Sequence, residues 1–150
     1  MEGLQGDTAT LSKRFDELSH YDVKGETRVH FGINSASLSQ QAKSDLGALA
    51  TNAANTEGYL IQVAGYADSS GSAAWNEELS DRRAQAVVNY FRQVCYVPLS
   101  RVLAPAGMGV SQPAASNETA KGRQENRRVE VKILVSRGLS EGNASTAALQ

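Results

Sequence analysis

The sequence predicts an α+β protein, a two-layer sandwich in the order β-α-β-α-β-(loop/short helix)-β, with two helices packed on a four-stranded mixed sheet. Three observations carry this. Two stretches with apolar residues at helical spacing alternate with short apolar stretches of strand length. Each helix has a single apolar stripe, so both must lie on the same side of one sheet. The chain then closes on its clearest strand, Arg127 to Val135, where Val129, Val131, Ile133 and Val135 share one face and Arg128, Glu130 and Lys132 the other.

In chain order, residues 1–21 are polar, with a helical hint at Thr10 to Leu18, and read as a linker or the end of an upstream helix. Val23 to Phe31 alternates as a strand interrupted at Gly25. Gly32 to Ser37 is a loop, and the helix from about Ser39 to Asn55 carries Leu38, Ala42, Leu46, Leu49 and Ala53 on one face. Tyr59 to Gly65 is a second, buried strand. Asp68-Ser69-Ser70-Gly71-Ser72 is dense in turn formers, and Ser72 is suited to cap the helix from Ala73 to about Val94. Pro98 ends that helical region, and Arg101 to Gly109 reads as a weaker third strand containing Pro105. Residues 110–126 form a long polar connection with room for one helical turn. A connection this long in a small domain is functional or mobile. The expected folded domain is residues 22–136, with residues 137–150 a disordered tail.

The long helix contains an anomaly. Leu79, Val87, Tyr90 and Val94 form its apolar stripe, and Asn76 and Arg83 fall within it. An inward-facing arginine must have a partner, because an unpaired buried charge costs several kcal/mol. One reading is a structural ion pair between Arg83 and Asp68. The other is a half-open pocket at the strand end, offering the Asp68 carboxylate, the Asn76 amide and the Arg83 guanidinium to a polar ligand. Arg127 has the parity of the apolar face on its strand and is a second cation near the core rim; Arg128 is expected in solvent.

Composition narrows the function. The 150 residues suffice for one domain, and Lys plus Arg at 15 against Asp plus Glu at 16 gives a net charge of -1. That balance lacks the basic excess of a nucleic-acid binder. A single cysteine, Cys95, excludes an intrachain disulfide and reads as a small buried hydrophobe. His20 and His30 lie in a loop and on a strand and form no acid–base or metal pair. No apolar run is long enough to span a membrane, and Met1-Glu2-Gly3 does not open a signal peptide. The polar start suggests a piece of a longer protein whose export signal or anchor lies upstream.

Gly65-Tyr66-Ala67-Asp68, then Gly71, Asn76, Leu79-Ser80 and Arg83-Ala84, resembles the signature G-H-[TA]-D-x-x-G-x-x-x-x-N-x-x-L-S-x-x-R-A of OmpA-like C-terminal domains. Val29-His30-Phe31 with Asn34 and Leu38, Gly107-Met108-Gly109 with Gln112-Pro113, and Asn126-Arg127-Arg128-Val129-Glu130 are similar to the family's other motifs. The resemblance covers about residues 22–136. It implies binding of the peptidoglycan stem peptide at its meso-diaminopimelate, without cofactor, by a protein of the periplasm attached to the outer membrane. It further implies that Asp68 and Arg83 hold the zwitterion, with Asn34, Ala67, Asn76, Leu79, Arg127 and Tyr66 lining the site. Tyr66 stands where the family usually has His.

Two other classes bear comparison. Asp68-x-Ser70-x-Ser72 matches the metal-coordinating turn of von Willebrand A-type adhesion domains, whose oxygen ligands suit Mg²⁺. An inward Arg83 has no place beside such a metal. A hydrolase would need paired carboxylates, a metal or a Cys/His pair; Glu77, Glu78 and Asp81 are instead placed toward solvent. Non-catalytic binding is the expectation.

Overall fold

A computed structural model describes residues 20–137. The strands are β1 (Tyr21–His30), β2 (Leu60–Gly65), β3 (Ala106–Gly107) and β4 (Arg128–Ser136); the helices are α1 (Gln40–Ala54), α2 (Ala73–Gln93) and α3 (Ala120–Asn126), with a 3₁₀ turn at Leu99–Arg101. The sheet order is β1-β4-β2-β3. β4 lies between β1 and β2, antiparallel to both, and β2 pairs with β3 in parallel. This is the α+β sandwich the sequence predicts, with α3 added in the long connection. The helical hint at Thr10 to Leu18 lies outside the described residues. None of the described helices is long and apolar enough to cross a membrane.

Local chemistry sets the helix starts. Ser39 and Ser72 sit in extended backbone, and their hydroxyls accept from the N–H groups of Ala42 and Trp75. Thr119 caps α3 in the same way through Gly122. Between the layers, Leu46 and Ala53 of α1 and Val87 and Phe91 of α2 meet Ile61, Val129, Val131 and Ile133 of the sheet, all fully buried. Each large side chain in that set contributes about 1.5–3 kcal/mol by leaving water.

Four expectations change. Val94 is 55% exposed, because α2 ends at Gln93 and the chain turns away; Ser80, Ala84, Val88 and Phe91 complete the buried stripe instead. The third strand shrinks to Ala106–Gly107 and one bridge between Val102 and Ile61, since Pro105 has no N–H to give a ladder. Arg128 is only 3% exposed rather than solvated. The fold also runs one residue further at each end than 22–136. Tyr21 pairs with Ser136, and Arg137, assigned to the tail, bonds to Asp22 at 3.1 Å and to the His20 carbonyl.

Helix α2 lies directly on the backbone of β2. A Cβ built on Gly65 would stand 2.1 Å from the Ser80 carbonyl oxygen, and backbone cannot yield as a flexible side chain does. Gly65→Ala should therefore lift α2 and cost about 3 kcal/mol, the upper end for overpacking. A stability loss below about 1 kcal/mol in urea denaturation would show that the layers separate more freely.

Candidate functional site

The site forms where β1, β2 and β4 end beside the first turns of α2. Ser72 starts the helix, so Asn76, Leu79, Ser80 and Arg83 recur every three to four residues on its inner face, and all four are buried. Arg83 is fully buried. Its Nε donates to the Ser35 carbonyl at 2.8 Å, Nη1 to that of Tyr66 at 3.1 Å and Nη2 to that of Gly32 at 3.0 Å. The guanidinium also stands 5.4 Å from the Phe31 ring centroid. One side chain thus ties the β1–α1 loop to the end of β2. Three of its five N–H groups are used, and two remain. Burial pushes its pKa down to about 10, against the charge of Asp68, which raises it, while that of Arg127 lowers it further. It is a cation at neutral pH.

Asp68 pairs with Arg127, not with Arg83. Its Oδ2 accepts from Arg127 Nη1 at 3.1 Å, and its Oδ1 from the Ser70 N–H at 2.8 Å. Arg127 is positioned by a second bond, Nε to the Phe31 carbonyl at 2.9 Å. Burial raises the Asp68 pKa, but the Ser70 and Arg127 hydrogen bonds and the Arg127 charge together outweigh it and hold the group below its ordinary 3.8. The direct Asp68–Arg83 ion pair that spacing suggested is absent. What the fold assembles is one carboxylate and two guanidinium groups, a local charge of +1, with Asn76 buried on the same inner face of α2 as Arg83.

The remaining expected residues sort by role. Leu79 and Ala67 are 5% and 4% exposed, and the Ala67 N–H donates to Gly109 O at 2.8 Å. Asn34 takes a left-handed backbone, φ 53°, and its Oδ1 accepts from Trp75 Nε1 at 3.1 Å. The Tyr66 carbonyl belongs to Arg83, while its ring lies under the Arg128 guanidinium, 3.8 Å from the centroid. Burial raises the Tyr66 pKa, with the Glu130 charge adding and those of Arg128 and Arg28 opposing. Burial likewise raises that of Cys95, a half-buried thiol packed against the core.

Sequence reasoning missed the clamp behind the site. Asn126, fully buried, accepts from Ala115 N at 2.9 Å and donates to Ala115 O and to Asn117 Oδ1, both at 2.8 Å. Asn117 Oδ1 also accepts from Ser69 N at 3.3 Å, so the long connection supports the Asp68 turn. Arg128 adds a bond to Gln112 O at 2.8 Å and an ion pair with Glu130 at 2.6 Å. An asparagine at a helix end and an arginine opening a strand have surface roles as readily as buried ones; no periodicity separates the two. The metal turn fits less well, because Arg127 lies on the Asp68 carboxylate and the Ser72 hydroxyl is the cap of α2.

Residues 30–127 match the profile of the OmpA family. Over 105 residues the chain is 32% identical to the outer-membrane lipoprotein YfiB of Pseudomonas aeruginosa, covering 70% of this chain and 61% of that protein. Over 111 residues it is 35% identical to outer membrane porin F of the same species, covering 74% of this chain and 31% of the porin. The chain thus spans less than two thirds of either relative's length. Among solved structures, the peptidoglycan-associated lipoprotein from Burkholderia pseudomallei superposes with a TM-score of 0.65 at 24% identity, over 71% of this chain and 88% of that one. That likeness is one of fold. With the motifs around Asp68 and Arg83 set in that fold, the chain belongs to the OmpA family.

Proposed function

We propose that this chain is a non-catalytic peptidoglycan-binding module, which holds the peptide stem at its meso-diaminopimelate and anchors the envelope protein it belongs to, at the periplasmic side of the outer membrane, to the cell wall. The observation that carries this reading is the grouping of Asp68, Arg127 and Arg83. Diaminopimelate keeps a free ammonium and a free carboxylate on its distal carbon. The Asp68 carboxylate has lone pairs left for the ammonium after Ser70 and Arg127 are served. The carboxylate of the ligand meets an excess of positive charge, with the Arg127 donors not taken by Asp68 and Phe31 and the Asn76 amide as partners, and the buried Arg83 charge behind them. Family membership supports the ligand class, as does the name of the solved Burkholderia lipoprotein. The acidic side chains of α2, Glu77, Glu78 and Asp81, are exposed, which favours binding over hydrolysis.

The test is co-sedimentation with diaminopimelate-type sacculi, with free meso-diaminopimelate as competitor and lysine-type sacculi as control. Pelleting that the free amino acid reverses, and that lysine-type walls do not support, is the expected result. Equal pelleting on both walls would remove the diaminopimelate assignment; no pelleting on either would remove peptidoglycan.

Affinity should be flat from about pH 5 to 9. Within the site, Asp68 titrates below 3.8, Arg83 at about 10 and Tyr66 above 10. Calorimetry across that range checks this, and Tyr66→His should introduce a pH dependence near neutrality. An inflection near pH 6–7 in the unaltered chain would mean that another group controls binding.

A further inference from the structure

We infer that Trp75 marks a second subsite beside the stem pocket, one that takes an N-acetylated sugar of the glycan strand; this rests on the reading of the chain as a peptidoglycan binder. Trp75 is the one tryptophan of the chain. It stands in the first turn of α2, immediately before Asn76, and it is no part of the apolar core. Its indole is partly exposed yet held in place. Nε1–H donates to Asn34 Oδ1 at 3.1 Å, and the Arg82 guanidinium stands 5.5 Å from the ring centroid. Arg82 is itself held by Glu78 at 2.7 Å. Gly71 adjoins both the ring and the amide: a Cβ there would lie 3.5 Å from Trp75 Cδ1 and 3.9 Å from Asn76 Oδ1. The ring and the Asn76 amide therefore border the same glycine.

An aromatic ring fixed at the surface, with N–H donors at its margins, matches the chemistry of a pyranose. The C–H face of the sugar packs on the ring, and its hydroxyl and N-acetyl groups meet the donors. Asn34 supplies these donors, since its Oδ1 is occupied and its NH₂ bonds to nothing among the described residues. Arg82 supplies others, with its Nη2 shared with Glu78. Reach agrees as well: the Asp68 turn leads through Ser70, whose N–H bonds Asp68, to Gly71, which borders the Trp75 ring. A stem of three residues spans up to about 10 Å, so its sugar reaches Trp75 while its diaminopimelate is held at Asp68.

The test compares two ligands on the full chain: the tripeptide L-alanyl-γ-D-glutamyl-meso-diaminopimelate, and the same tripeptide on its N-acetylglucosaminyl-N-acetylmuramic acid disaccharide. By calorimetry the disaccharide form should bind about three- to tenfold tighter, and only that form should shift the Trp75 fluorescence. The readout is the ratio of the two Kd values, in which any shared effect on the stem pocket cancels. Trp75→Ala should bring the ratio to about one, and Trp75→Phe, which keeps a ring, should preserve most of it. A ratio near one in the unaltered chain overturns the sugar subsite while leaving the stem reading intact. So does a ratio that Trp75→Ala leaves unchanged, or one that Trp75→Phe abolishes as fully as Trp75→Ala, which would assign Trp75 to support of Asn34 alone. If neither ligand binds the unaltered chain, both readings fall together.

Discussion

Arg83→Ala should lower the stability of the domain by about 3–5 kcal/mol, within what three buried hydrogen bonds from a charged donor contribute at about 1.5–3 kcal/mol each. The three carbonyls of Ser35, Tyr66 and Gly32 lose their donor, and a buried acceptor left without one costs about 1–3 kcal/mol. The losses do not simply add, because a collapsed loop or entering water can satisfy some of them. Packing against Phe31 is lost as well. Arg83→Lys should recover less than half, since a single ammonium on a flexible stem lacks the planar fork that spans three carbonyls. Urea denaturation of the three proteins checks this, and a loss below about 1 kcal/mol in Arg83→Ala would contradict the network. The result bears on the binding assay too. A variant at Arg83 that fails to pellet with sacculi reports folding as much as contact, so Arg83 cannot be the decisive position.

Asp68→Asn is that position. It keeps the shape of the side chain and the bond from the Ser70 N–H, and it removes the charge that faces Arg127 and that, in the proposed complex, holds the ligand ammonium. A hydrogen bond to a charged group contributes about 1.5–3 kcal/mol, so stem-peptide affinity should fall roughly ten- to hundredfold. The variant should stay folded at neutral pH, because its amide oxygen still accepts from the Ser70 N–H, and Arg127, which loses its acceptor at Oδ2, keeps the Phe31 carbonyl. Unchanged affinity in a folded Asp68→Asn protein would show that the ammonium is held elsewhere. The same variant separates the acid stability profiles. The folded state holds the Asp68 carboxyl below 3.8, so in that range the unfolded chain binds more protons and stability rises with pH. The contribution of Asp68 is complete above the unfolded value and is lost as pH falls through the lower, folded one. Thermal melts of the unaltered chain and of Asp68→Asn should therefore draw together below pH 3.8.

The two variants differ because the site has two layers. Arg83 lies beneath, as a structural cation with neutral partners, and Asp68 and Arg127 lie above it, about 10% exposed. From spacing alone these roles could be exchanged. Asp68 and Arg83 stand at opposite ends of a turn and about three helical turns, which places them in the same region without saying which atoms touch. Arg127, on a strand far along the chain, proves to be the direct partner of Asp68.

What the sequence determines by itself is whatever depends on neighbours within a few positions. Helix starts follow from Ser39 and Ser72, whose hydroxyls reach N–H groups three residues on. The buried face of β4 follows from alternation, and the inward placement of Asn76 and Arg83 from the helical period. The family motif carries the same kind of information, residue types at fixed spacing. Tertiary structure alone decided the rest. It paired Asp68 with Arg127, buried Arg128 against Tyr66, locked Asn126 onto Ala115 and Asn117, and bonded Trp75 to Asn34. The physical reason is common to all four. A guanidinium, an amide or an indole N–H has no periodic preference. Its partner is whichever acceptor the packed sheet and helices bring within about 3 Å.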